Sequence, residues 1–231
     1  MNQASIFTLE KDSNGYKDFE NLPLDIYVDT SAWICAYGSE NQSSSIGLGD
    51  ARRGQSIAEF MKDCIEQGVT LYHSNLVLSE AIHINNMAYM DYLSENNIIN
   101  IPKFRDGKTN YKKLHKEIVS NHPSLNDEMR ESRNELLEFI QQTSLSLEYY
   151  QDKESFCDIM NIIESTGGLL DTQDATHIYV ARSYQINSFL TADGDFVLLD
   201  NDNIFTVSSE RYLKEKIGRA NVILDYDENQ F

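Results

Sequence analysis

The stretch D-I-Y-V-D-T-S-A-W, residues 25–33, decides how this chain folds. Ile26, Tyr27 and Val28 form a β-branched and aromatic run, which suits a buried strand. Asp29 follows at once, then Thr30 and Ser31, and apolar residues resume at Trp33, Ile34 and Tyr37 with a spacing compatible with a helix. The pattern is a buried strand that delivers a carboxylate to its carboxyl edge, where a helix begins. In open α/β sheets ligands bind at that edge. A carboxylate in that position needs a partner, and the expected one is a divalent cation shared with acids from later in the chain.

Outward from this strand the chain alternates. Upstream, residues 1–22 are polar and read as a loose N-terminal extension, with a turn at 11–15 and one edge strand near 6–9. Downstream, the Ser- and Gly-rich residues 39–54 read as a flexible loop. It carries Arg52 and Arg53, either as a solvated tip or as a phosphate contact beside the site. Ile57, Phe60, Met61, Cys64 and Ile65 recur at helical spacing over 56–66, and residues 69–72 form the second strand. Ser74 and Asn75 then cap a mostly buried helix in which Glu80 interrupts an apolar run.

Residues 86–150 read as a helical insertion within a single domain spanning 1–231. This insertion holds the most basic window of the chain, with Lys103, Arg105, Lys108, Lys112, Lys113 and Lys116 beside His115. Phe104 and Tyr111 are interleaved, either as two aromatics anchoring a solvated helix face or as rings that stack on bases. A helix over 154–165 ends at Gly167-Gly168. Asp171 then caps a helix with Asp174 in its first turn. A strand at 187–191 leads into A-D-G-D-F, followed by a strand at 204–207, a short helix at 208–216, and a tail whose V-I-L at 222–224 suits a further edge strand. Strands alternating with helices predict an α/β fold, a Rossmann-like parallel sheet flanked by helices.

Composition narrows the functional classes. With 41% hydrophobic and 10% aromatic residues the chain is expected to pack as a globule. No apolar run approaches the roughly 18 residues that cross a bilayer, and no basic-then-apolar leader opens the sequence. Cys35, Cys64 and Cys157 show neither disulfide nor zinc spacing and read as core residues. A cytoplasmic setting without membrane contact is the expectation. The net charge of −18 opposes a polyanionic partner unless cations or a local basic patch intervene.

Asp29, Glu80, Asp174 and Asp193 all fall at strand ends or helix starts, with Asp195 two residues beyond the last. Carboxylate clusters suit hard ions such as Mg²⁺ or Mn²⁺, and such ions serve phosphodiester hydrolysis. Each acid also has a plain structural alternative. Asp29 can cap a helix, Glu80 can pair with an arginine or lysine, Asp174 is favoured by the helix dipole, and Asp193 and Asp195 can be turn residues about Gly194. For Asp171 the cap is the reading. His73, His83 and His177 are expected to be hydrogen-bonded structural residues.

V-D-T-S at 28–31, L-V-L-S-E-A at 76–81, D-A-T-H-I-Y-V-A at 174–181 and L-T-A-D-G-D-F at 190–196 resemble the four signature segments of PIN-domain nucleases. The resemblance covers about half the chain. It implies a metal-dependent endoribonuclease, with the toxin of a VapC-type toxin–antitoxin pair as one expectation. By that likeness Asp29, Glu80, Asp174 and Asp193 are the catalytic, metal-binding acids, and Asp195 matches a more variable acidic position. Thr30, Ser31 and Thr191 are then supporting hydroxyls. The implied partners are an RNA substrate, an antitoxin protein and a second copy in a homodimer. The alternatives are a non-catalytic PIN-like RNA-binding or scaffold protein, or a DNA nuclease or phosphatase on a similar fold. The chain departs from the compact toxins in length, with Glu80 and Asp174 separated by the insertion.

Overall fold

The computed structural model of the chain describes residues 4–13, 15–40, 51–99, 102–200, 202–209 and 211–218. Its centre is the strand expected from the opening stretch. β4 (Asp25–Val28) has Ile26, Tyr27 and Val28 fully buried, because neighbours pair on both its edges and helices cover the sheet. Around it, β1 (Ser5–Thr8), β5 (Thr70–Ser74), β6 (Leu145–Leu147), β7 (Ser188–Thr191) and β8 (Asn203–Thr206) complete a six-stranded sheet in the order β1-β8-β7-β4-β5-β6. Every pairing in it is parallel. A short antiparallel pair, β2 (Lys11–Asp12) with β3 (Gly15–Tyr16), stands apart from that sheet. The α/β, Rossmann-like expectation holds.

Parallel neighbours need crossovers, and seven helices provide most of them. They are α1 (Thr30–Glu40), α2 (Ala51–Glu66), α3 (Asn75–Glu95), α4 (Tyr111–Asn121), α5 (Pro123–Thr143), α6 (Lys153–Ser165) and α7 (Thr172–Ser183). Residues 211–218 add a last helical segment. Of the two chain directions around β4, one leads out through β5 and β6 and the other through β7 and β8. The strand order therefore reverses between β4 and β7, which opens a crevice at their carboxyl ends.

Several sequence expectations are corrected. The chain from β1 to Phe19 is packed rather than loose: Phe7, Phe19 and Phe60 each lie within 5.3 Å of the Phe205 ring by centroid. Gly54, Arg52 and Arg53 belong to α2 and not to a loop. The glycine there serves close packing, since a Cβ would stand 2.1 Å from the Cys35 carbonyl oxygen on α1. Residues 41–50 and the tail at 221–231 lie outside the described residues, so the edge strand expected in the tail lies there too. Within 86–150, α3 carries the first ten residues and β6 is a sheet strand paired with β5. Cys64 is buried as expected, but Cys157 is exposed and Cys35 only partly covered. Among the described residues no helix is long and apolar enough to cross a membrane.

Candidate metal centre

The carboxyl edge collects the acids for topological reasons. Register pairs Val28 with Leu190, so the residues just past each, Asp29 and Thr191, meet where β4 and β7 end. Asp193 and Asp195 follow β7 directly. Asp174 lies in the first turn of α7, which feeds β7, and a helix preceding a parallel strand starts at the carboxyl edge. Glu80 lies in the second turn of α3, which leaves β5 at that same edge.

Asp174, Asp193 and Asp195 form one group: a carboxylate oxygen from each lies within 4.8 Å of the other two. Burial, with the charges of Asp171, Asp29 and Asp193 nearby, pushes the Asp174 carboxyl up to about 7 from its ordinary 3.8. Three acids converging without enough cationic charge is an unfavourable arrangement for folding alone. A hard divalent cation fits this donor set of oxygens.

Asp29 stands behind the group, only 5% exposed. Its Oδ2 accepts from the Ser31 hydroxyl at 2.5 Å and the Thr191 hydroxyl at 3.0 Å. The same two hydroxyls fix the loop that carries Asp193: the Ala192 amide donates to Ser31 Oγ at 3.0 Å, and the Asp193 amide to Thr191 Oγ1 at 2.9 Å. Ser31 and Thr191 thus tie the ends of β4 and β7 together and set the spacing of Asp29 and Asp193.

Glu80 differs from the expectation. It is not one of the three clustered acids, and its oxygens are engaged elsewhere. Oε1 accepts from His177 Nε2 at 2.9 Å and from the Gln173 amide, and Oε2 accepts from the Thr30 hydroxyl at 2.5 Å. Where the sequence suggests a lysine or arginine as its structural partner, the partner is a histidine. Burial alone would raise the Glu80 pKa, but the His177, Thr30 and Gln173 contacts overcome it and hold it below the usual value.

Asp171 caps α7 as expected, its Oδ1 accepting from the Gln173 and Asp174 amides at 2.8 and 2.9 Å. His73 is buried and bonded to Ser144 through Nδ1 at 2.8 Å, whereas His83 is exposed.

Sequence reasoning missed Lys216. Its ammonium contacts Asp195 Oδ1 from the segment 211–218 and lies over the Tyr212 ring. Tyr212 in turn covers Gly194, where a Cβ would come 2.5 Å from Cε1, so a larger residue between Asp193 and Asp195 would displace the Tyr212 ring. No spacing rule links positions 195 and 216; only the fold back onto the sheet edge does. Lys216 is a tethered cation on the rim of the cluster, so it should compete with a divalent ion. Lys216→Gln is expected to tighten Mn²⁺ binding at least about fivefold in a calorimetric titration, the effect of removing one nearby like charge. Weaker binding would show that the lysine supports the site and does not compete for it.

No family model matches the chain, and no curated protein matches it.

Proposed function

We propose that this protein is a Mg²⁺- or Mn²⁺-dependent endoribonuclease whose centre is Asp174, Asp193 and Asp195, with Asp29 behind them. One observation carries the reading. Three carboxylates lie within 4.8 Å of one another at the carboxyl edge where the strand order reverses, the place at which open α/β sheets bind ligands. The PIN-like segments supply the choice of reaction.

Asp174, Asp193 and Asp195 would hold the ion through one oxygen each. When bound, the ion supplies Lewis-acid activation of water and charge stabilisation at a phosphodiester. The protein's own residues do the positioning. Ser31 and Thr191 hold Asp29 in one rotamer and fix the Asp193 loop against it. Asp171 anchors the start of α7 and so places Asp174. The Glu80–His177 pair holds α3 and α7 at a set distance across the crevice.

The test is a titration of Mg²⁺ and Mn²⁺ against end-labelled single-stranded RNA, with single-stranded DNA and a phosphomonoester run alongside. Metal-dependent RNA cleavage, absent in EDTA, is the expected result. Cleavage of DNA only, or release of phosphate only from the monoester, moves the reaction to a DNA nuclease or a phosphatase. Calorimetric metal binding with no cleavage of any substrate leaves a non-catalytic module.

A further inference from the structure

The chain is strongly acidic, yet six of its nineteen lysines and arginines fall within residues 103–116, against one acid. The fold gives that window a defined shape. An antiparallel bridge joins Lys103 to Thr109. The Phe104 amide bonds to the Lys108 carbonyl at 2.8 Å, and Gly107, at φ +85, closes the turn with its amide on the Phe104 carbonyl at 3.0 Å. The Asn110 amide reaches back to the Pro102 carbonyl at 2.8 Å, and its side chain caps α4. The result is a stapled hairpin running straight into a helix.

Its polar surface is outward. Phe104 at the tip is 56% exposed, and Lys103, Arg105, Lys108, Lys112 and Lys116 are all exposed. Of these, Lys108 has Asp106 3.7 Å away, while the other four have no carboxylate partner among the described residues. Lys112 and Lys116, four residues apart, share one face of α4, whose opposite face buries Leu114 and Ile118 against the body. Tyr111, which the sequence offers as a second stacking ring, serves otherwise: its hydroxyl donates to Asp91 on α3 at 2.5 Å and fastens the unit down. That anchor lies eleven residues, about 16 Å along the axis of α3, from Glu80.

We propose that the hairpin and the outer face of α4 form an accessory docking surface for single-stranded RNA. Phe104 stacks on a base, and the surrounding cations neutralise phosphates. A fixed comb of cations beside an exposed aromatic ring is the equipment of sequence-tolerant single-strand binding, because every base has a π-face and every linkage a charge. Duplex RNA is a poor fit, since a ring at a hairpin tip needs an unstacked base. The choice of RNA as the polyanion rests on the ribonuclease reading above. In a chain of net charge −18 this surface supplies attraction that the carboxylate centre cannot.

The experiment measures binding of a fluorescein-labelled single-stranded RNA 12-mer to the full chain in EDTA, by anisotropy, so that cleavage plays no part. Affinity is expected to fall about 100-fold between 50 and 200 mM salt, as about five neutralised phosphates require. Lys112→Glu with Lys116→Glu is expected to weaken binding at least tenfold and to flatten the salt dependence, and Phe104→Ala to weaken it about tenfold, both with unchanged unfolding midpoints. Unchanged RNA affinity in these variants overturns the proposal even where metal-dependent cleavage persists. Variant-sensitive binding with no cleavage under any metal supports the surface and removes the nuclease. Equally tight, equally variant-sensitive binding of a poly-glutamate peptide also overturns it, in favour of an acidic protein partner.

Discussion

Replacing Asp174 with Asn is expected to lower metal-dependent RNA cleavage by at least about 100-fold, the scale on which even outer partners of a metal site act, and to stabilise the metal-free protein. The second half is the more discriminating. The Asp174 carboxyl is raised from 3.8 to about 7 by burial and by Asp171, Asp29 and Asp193. A carboxyl raised on folding leaves stability intact below its unfolded value and removes it as pH rises through the folded value. The metal-free wild type should therefore lose stability between about pH 4 and pH 7. At pH 8 the asparagine variant, which carries no charge to repel, should be the more stable. The full shift would amount to about 4 kcal/mol; Asp174 keeps some contact with water, so roughly 1–3 kcal/mol is expected. Domains of this size gain about 2–4 °C in unfolding midpoint per kcal/mol, and the two proteins should converge near pH 4. Saturating Mn²⁺ should raise the wild-type midpoint and leave the variant nearly unmoved. If Asp174 served only the helix dipole, asparagine would instead cost about 0.3–1 kcal/mol, and a lower midpoint at pH 8 would decide for that alternative.

What the sequence makes legible follows from where burial acts. Ile26, Tyr27 and Val28 can be read as a central strand because both faces are covered, and Asp29 stands out against them. Asp174, Asp193 and Asp195 are legible by position, each beside a strand end or a helix start. β6 is not: three residues, two of them exposed, carry no periodicity inside a helix-rich region. Gly54 misleads, because Ser/Gly-rich composition signals a loop while this glycine lets α1 and α2 approach. The aromatic cluster around Phe205 joins residues nearly 200 positions apart, which periodicity cannot see. The same limit hides Lys216 from Asp195 and His177 from Glu80. Local rules place a carboxylate at the sheet edge, but its partner comes from tertiary folding.

Removing His177 is expected to destabilise the fold by about 3–5 kcal/mol, the usual cost of stripping one partner from a buried ion pair. His177 is 1% exposed and sits mid-chain in a continuous network. Its Nε2 faces Glu80 at 2.9 Å, its Nδ1 faces the Tyr27 hydroxyl at 2.6 Å, and that hydroxyl meets Ser74 Oγ at 2.8 Å. His177→Ala leaves Glu80 charged without its main partner and leaves the fully buried Tyr27 hydroxyl short of one. Burial works against the imidazolium, but the Glu80 hydrogen bond and the Asp29 charge outweigh it and raise the pKa of His177. The raised histidine contributes stability fully below its ordinary 6.5 and loses it as pH rises through the folded value. The lowered Glu80 contributes above its ordinary 4.5 and loses it as pH falls. The gap between wild type and His177→Ala in chemical denaturation should therefore be widest between about pH 4.5 and 6.5. Adding Glu80→Gln to His177→Ala removes the stranded charge and should return at least about 1 kcal/mol. Glu80→Gln alone should weaken Mn²⁺ binding far less than Asp174→Asn, because both oxygens of Glu80 are already engaged. Equal losses in the two variants would return Glu80 to the ion and make the histidine contact a feature of the metal-free state alone.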